Sequence, residues 1–190
     1  MRFIATIVSL VIAALLLILG ITFKFFSGPT VISLDIPSNT TSSYIVIDHD
    51  VLDLHPGSQL VKASGATSNT VAYGQIGDVT SWLGGSSYTR ISLNPDTKEL
   101  ITTNVDAGMS THDAPTAAAA QDGKIVSPAG SDMWIGESTA TDNSAILSLD
   151  VTSSEAVLVS SDGTTPAPSA ISVNWPLPKV QFLWMTDDVL

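Results

Sequence analysis

Residues 3–23, FIATIVSLVIAALLLILGITF, form an uninterrupted apolar run without a charged side chain. A helix rises about 1.5 Å per residue and the hydrocarbon core of a bilayer is about 30 Å thick, so a run of this length predicts one membrane crossing. Inside hydrocarbon every backbone N–H and C=O must be satisfied within the segment, which a continuous helix of Leu, Ile, Val and Ala achieves. The hydroxyls of Thr6, Ser9 and Thr22 are expected to bond back to a carbonyl one turn earlier. A cleavable export signal has a shorter apolar region closed by a small-x-small site. Here Phe23, Lys24, Phe25 and Phe26 follow instead, which favours a retained anchor. A buried core helix would show a polar face, and this run has none.

Arg2 and the α-amine precede the run, and only Lys24 follows it closely. The positive-inside bias therefore places residues 1–2 in the cytoplasm and the remainder of the chain outside the membrane. Beyond Lys24 five basic residues, Lys62, Arg90, Lys98, Lys124 and Lys179, stand against all eighteen carboxylates. So acidic a domain is repelled by nucleic acid, and no basic stripe offsets the repulsion, so no nucleic-acid partner is expected. The chain has no cysteine, which removes disulfide frameworks, zinc ribbons and thiol catalysis together. A domain of about 150 residues can bury enough apolar surface to be exported without disulfides.

Residues 24–43 are rich in Ser, Thr, Pro, Gly and Asn and read as a tether, with room for a first strand at Val31, Ile32 and Leu34. Asn39-Thr40-Thr41 matches the N-glycosylation acceptor pattern, which matters only in a secretory host. Residues 44–176 then alternate short β-favouring stretches with Gly, Pro and Asn punctuation. The predicted strands are 44–47, 59–63, 70–73, 88–93, 99–104, 132–135, 145–150, 156–160 and 170–175, each drawn from the residue types that fit a pleated, half-buried surface. Asn94-Pro95-Asp96-Thr97 joins two of them into a hairpin, because Pro presets φ and Asn and Asp bond to nearby backbone. This pattern predicts an all-β fold, an antiparallel β-sandwich or barrel-like domain behind one N-terminal transmembrane helix.

One stretch breaks the strand rhythm. Val79, Trp82 and Leu83 fall at i, i+3 and i+4, with Asp78 placed to start a turn of helix and Gly84 to end it. The expectation is a short helix covering one end of the sandwich, with Trp82 in the core. Residues 105–130 lack alternation and read as a long surface excursion, with a helical turn expected over 116–121. Residues 161–169, with Asp-Gly and two prolines, read as a turn. Residues 177–190 form a tail too short for a second crossing.

The densest collection of reactive groups is Asp48-His49-Asp50-Val51-Leu52-Asp53-Leu54-His55. On an extended chain alternate side chains share a face, so Asp48 and Asp50 are candidates to chelate a hard cation, joined across a bend by Asp53 or His55. The fit to a calcium loop is poor, since Leu52 stands where a ligand belongs and no glycine follows in register. The competing expectation is a polar turn with Leu52 and Leu54 packed inward. No G-x-S-x-G elbow or S-x-x-K motif occurs, and a grouping of His112, Asp113 and Ser131 has no support without geometry. Glu99, Glu137 and Glu155 are the only glutamates available to a glycosidase-like pair. No cofactor is expected.

The segments 72–84 (AYGQIGDVTSWLG), 88–91 (YTRI), 128–134 (PAGSDMW) and 161–168 (SDGTTPAP), the last leading to Trp175-Pro176, resemble a group of actinobacterial membrane proteins of unassigned function. The resemblance implies an N-terminal span, an extracytoplasmic domain and a further span after the Trp-Pro. The present chain departs from it there, because residues 177–190 contain no such run. The functional expectation is a single-pass, membrane-anchored extracytoplasmic envelope protein acting as a protein-interaction or structural module. Its partners would be membrane lipid through residues 3–23 and other envelope or membrane proteins. The alternative is an exported ligand-binding domain, for carbohydrate or metal, or a hydrolytic one.

Overall fold

The structure, a computed structural model, describes residues 2–25, 31–38, 41–106, 127–151 and 153–177. The expected helical turn at 116–121, Asn39, most of the long excursion and nearly all of the tail lie outside these residues. One compact unit runs from Val31 to Pro176.

The N-terminal segment forms helix α1 (Arg2–Phe25), whose backbone extends over 24 residues. Ile7, Val8, Leu10, Val11, Ile12 and Leu15 through Ile18 each expose half of their surface or more. The Ser9 hydroxyl donates to the Thr6 carbonyl at 2.9 Å, the local bond expected of it. Among the residues whose side chains are described, no helical stretch is long and apolar enough to cross a membrane, the continuous stretch within α1 being 6–18.

Among the described residues the compact unit has ten strands: β1 (Val31–Ile36), β2 (Tyr44–Asp48), β3 (Gln59–Ser64), β4 (Ser68–Gln75), β5 (Tyr88–Leu93), β6 (Leu100–Val105), β7 (Gly136–Thr141), β8 (Ala145–Leu149), β9 (Glu155–Ser160) and β10 (Ala170–Pro176). They form two sheets, one of four strands in the order β1-β10-β3-β8 and one of six in the order β6-β5-β2-β9-β4-β7. The fold is therefore all-β and sandwich-like, and it is not a closed barrel. Short helices α2 (His49–Leu52) and α3 (Ile76–Leu83) interrupt the strands.

The expectation of purely antiparallel pairing is corrected at one place. β2 and β5 run parallel, with Val46 opposite Arg90, while every other pair among the described residues is antiparallel. Parallel neighbours need a long crossover, and here β3, β4 and α3 supply it. β1 lies in the stretch expected to be tether and pairs with β10 along its whole length, from Val31 opposite Pro176 to Ile36 opposite Ile171.

Burial explains the unbroken apolar runs at two of the expected strands. β2 and β9 are buried at every position because both of their faces are covered. Ile45, Ile47, Val157 and Val159 point between the sheets toward Val61, Val173 and Trp175. Tyr44, Val46, Ala156 and Leu158 point the other way, onto Val79, Trp82 and Leu83 of α3. A strand covered on both faces has to be continuously apolar rather than alternating. Helix α3 accordingly lies on the outer face of the six-stranded sheet and does not cap an end of the sandwich. Trp82 is in the core as expected, with the Tyr44 ring edge-on at 5.6 Å and the Trp134 ring at 5.5 Å.

The strand expected at 132–135 is the clearest misplacement. Met133 and Trp134 pack on the α3 cluster from an irregular segment, the Trp134 Nε1–H donates to the Pro128 carbonyl at 2.7 Å, and the strand begins only at Gly136. The Tyr73 ring lies over Gly136, where an added Cβ would come within 2.7 Å of it, so glycine starts the edge strand for a reason of space.

Two turns form as their residues dictate. Asn94 Oδ1 accepts the N–H groups of Asp96 and Thr97, and the backbone closes from Asn94 N–H to the Glu99 carbonyl at 2.8 Å. Asp162 Oδ1 likewise accepts the N–H groups of Thr164 and Thr165, each at 2.9 Å, and the Thr165 hydroxyl at 3.0 Å. The hydrogen bonds from Thr165 and Thr164 hold the Asp162 carboxyl well below the ordinary carboxylate range. The folded state thus binds the proton more weakly than the unfolded chain, and the turn stabilises the fold above about pH 4 and loses that contribution as pH falls further. Asp162→Ala is expected to lower the thermal midpoint at pH 7, with the gap to the parent chain closing in a melting series carried into acid.

Candidate functional site around Asp48 to His55

The acidic and imidazole cluster begins where β2 ends. Asp48 is buried, with 6% of its surface exposed, because β2 is flanked by β9 on one side and β5 on the other. Its carboxylate faces Arg90 of β5, which donates from Nε to Oδ1 at 3.0 Å and to Oδ2 at 2.8 Å, with the guanidinium Nη2 also 2.8 Å from Oδ2. Burial pushes the Asp48 carboxyl above its usual range, and the bond and charge of Arg90 pull against that rise without cancelling it.

The next residue starts α2. Asp50 Oδ2 accepts the Leu93 N–H at 3.0 Å and its Oδ1 accepts the Val51 N–H at 2.8 Å, so this carboxylate ties α2 to the end of β5. Val51 and Leu52 are fully buried, which is the inward packing foreseen for Leu52. Leu54 is half-buried and packs on the same cluster. Asp53 is exposed and closes the helix, its N–H bonded to the His49 carbonyl at 2.8 Å. The His55 ring stands edge-on to Trp175, centroids 5.1 Å apart, and Trp175 in turn donates its indole N–H to the Leu52 carbonyl at 2.9 Å.

The four candidate ligands therefore go to four different tasks. Asp48 pairs with Arg90, Asp50 fastens α2, Asp53 is exposed, and His55 lies against an aromatic ring. Among the described residues no group of three or more His, Asp or Glu side chains converges as a metal ion requires. The other groups considered are also locally engaged. Ser131 Oγ accepts the Met133 N–H at 3.3 Å, Glu137 accepts the Gly130 N–H through both oxygens, and Glu99 accepts the Thr97 hydroxyl. His112 and Asp113 lie outside the described residues.

Arg90 is the member that sequence reasoning missed. Its only signal was a charged residue at an outward position of an alternating strand, and the parallel register that sets it beside Asp48 is a tertiary fact. Elsewhere, a cleft of about 400 Å³ opens beside Pro37, Ser42, Tyr88, Asn104 and Asp106. It presents hydroxyls, an amide and a single carboxylate, remote in sequence from the Asp48 to His55 cluster.

No family model, curated protein or solved structure matches the chain. The likeness to the actinobacterial group rests on the segments quoted above alone.

Proposed function

We propose that the chain is a membrane-anchored extracytoplasmic envelope protein, held by α1, whose β-sandwich serves as a protein-interaction or structural module. The observation that carries this reading is the employment of the cluster's reactive groups in the fold itself: Asp48, Asp50 and His55 each have a structural partner. These groups are thus used to hold the fold together, and no convergence on one point is left among them. The anchor is supported by exposed apolar side chains at Ile7, Val8, Leu10, Val11, Ile12 and Leu15 through Ile18, which together leave no polar face. A helix apolar on all sides belongs in a protein core or a membrane. At about 1.5 Å per residue its backbone is also long enough for one crossing, and Arg2 with the α-amine ahead of the run, against Lys24 behind it, favours the non-cytoplasmic side for the rest of the chain.

The absence of cysteine makes the test clean. Ser58→Cys places a single thiol in the exposed segment just before β3. The expected result is a chain that stays with membranes after alkaline carbonate extraction and whose introduced thiol reacts with a membrane-impermeant maleimide on intact cells. Release by carbonate, or labelling only after lysis, would overturn the anchor or its orientation. Recovery of specific partners by pull-down from solubilised membranes is expected, and none above background would count against the interaction role.

A further inference from the structure

Strand β6 is the outermost strand of the six-stranded sheet, and among the described residues its free side has no neighbouring strand. Its sequence, Leu-Ile-Thr-Thr-Asn-Val, has neither charge nor proline, and Ile101 to Asn104 are exposed on both faces of the sheet. Exposure of Thr102 and Asn104, which share the inter-sheet face with Ile91 and Thr89, means that the narrower four-stranded sheet does not cover this edge. Edge strands are commonly protected by charge, proline, bulges or shortness. The other outer strands differ: β1 carries Asp35, β7 carries Glu137, and β8, though also uncharged, is buried at both of its ends. In a chain of net charge −11, an uncharged edge exposed along its middle lets two acidic copies approach without like charges set directly opposite each other from 101 to 105.

We infer that β6 is a homotypic docking edge, at which two copies of the chain join antiparallel about a two-fold axis through Thr103. An antiparallel ladder pairs residues of the same hydrogen-bonding parity, so a symmetric pairing of one strand with its copy has to be centred on a residue. Centring on Thr103 sets Ile101 against Val105 of the second copy on the outer face, flanking Thr103 against Thr103, and sets Thr102 against Asn104 on the inter-sheet face. Apolar meets apolar and polar meets polar at every position from 101 to 105. Asn104 accepts the Thr89 hydroxyl through Oδ1 at 3.1 Å, which leaves its NH2 to donate to the facing Thr102. Centring on Thr102 instead would set Ile101 against Thr103 and Leu100 against Asn104 and lose this matching. Thr–Thr and aliphatic β-branched pairs are among the favourable cross-strand combinations, and two-fold self-pairing is the commonest way copies of a chain associate.

The test uses the full chain in detergent and again exploits its lack of cysteine. Opposed Cα atoms in an antiparallel pair lie about 4.5–5.5 Å apart, within the span a disulfide bridges. Thr103→Cys is therefore expected to give a covalent dimer on mild oxidation, while Ile101→Cys and Thr102→Cys do not. Sedimentation is expected to show about twice the 19.8 kDa chain mass for the parent and for Thr103→Ser. Thr103→Lys, which opposes two ammonium groups on the axis, is expected to sediment as the monomer with unchanged far-UV circular dichroism. A parent chain that is monomeric throughout a concentration series would overturn the proposal. So would a dimer that persists in Thr103→Lys, a link formed by Thr102→Cys in place of Thr103→Cys, or an edge found occupied by another protein.

Discussion

Trp175→Ala is expected to lower the free energy of unfolding by about 3–5 kcal/mol, the range for emptying a large aromatic site in a core. Trp175 is 1% exposed and is the largest of the fully buried side chains. It reaches from β10 of the four-stranded sheet into the cluster that also holds Ile45, Ile47 and Val159 of the six-stranded one. Its removal opens a cavity where the two sheets meet. The truncation also takes away the donor to the Leu52 carbonyl and the ring against which His55 stands, so the turn that follows α2 loses both of these attachments to β10. Trp175→Phe separates these effects. It retains most of the apolar volume and leaves the Leu52 carbonyl unsatisfied, for which a loss of about 1–3 kcal/mol is expected. Urea unfolding followed by far-UV circular dichroism measures both, and equal midpoints for Trp175→Ala and the parent chain would contradict the packing described.

Arg90→Gln is expected to cost about 1–3 kcal/mol at neutral pH, because it strands a buried carboxylate that the guanidinium now satisfies through two nitrogens. The Arg90 side chain is 47% exposed, so solvent screening keeps the effect below that of a fully buried pair. Asp48→Asn is expected to cost less, since it strands no charge in the interior and leaves Arg90 able to turn to water. The two variants are distinguished by pH. Burial already holds the Asp48 carboxyl above its unfolded value of 3.8 against the opposing pull of Arg90. The folded state therefore binds the proton more tightly than the unfolded one, and the contribution of this group to stability is greatest below that value and declines as pH rises through the folded pKa. Without Arg90 the folded pKa moves higher still. The deficit of Arg90→Gln should consequently shrink as pH is lowered and the carboxyl takes up its proton, whereas the deficit of Asp48→Asn should not shrink in the same way. Parallel curves for the two variants from neutral pH into acid would argue against a stranded carboxylate.

If β6 pairs with its own copy, the two six-stranded sheets become one continuous sheet with the Asp48 to Arg90 pairs of both copies on the same outer face as Thr103, since Arg90 stands opposite Thr103 in the register of β5 and β6. Loss of the ion pair can be separated from loss of the dimer through Arg90, which lies one strand back from the edge and outside the seam. Arg90→Gln should lower melting without changing mass, whereas Thr103→Lys, whose ammonium also stands opposite Arg90, should lose the dimer and lower melting together.

What the sequence determined by itself was whatever local chemistry controls. The hairpin of β5 and β6 follows from Asn94 bonding to its own turn, α3 from the spacing of Val79, Trp82 and Leu83, the 161–169 turn from Asp162, and β2 and β9 from apolar runs that needed cover on both sides. β7 was misplaced because Gly136 to Thr141 carries no apolar periodicity, being an edge whose glycine is demanded by the Tyr73 ring on the neighbouring strand. The fate of the Asp48 to His55 cluster was equally illegible. Whether three carboxylates and two imidazoles converge on an ion or disperse into separate tasks depends on the partners brought to them from Arg90, Leu93 and Trp175. Arg90 lies 42 positions beyond Asp48, Leu93 43 beyond Asp50, and Trp175 123 beyond Leu52. Only the parallel register of β2 with β5 and the packing of β10 across the sandwich bring them there, because long-range pairing answers to burial of the whole core and leaves no periodic trace in any one segment.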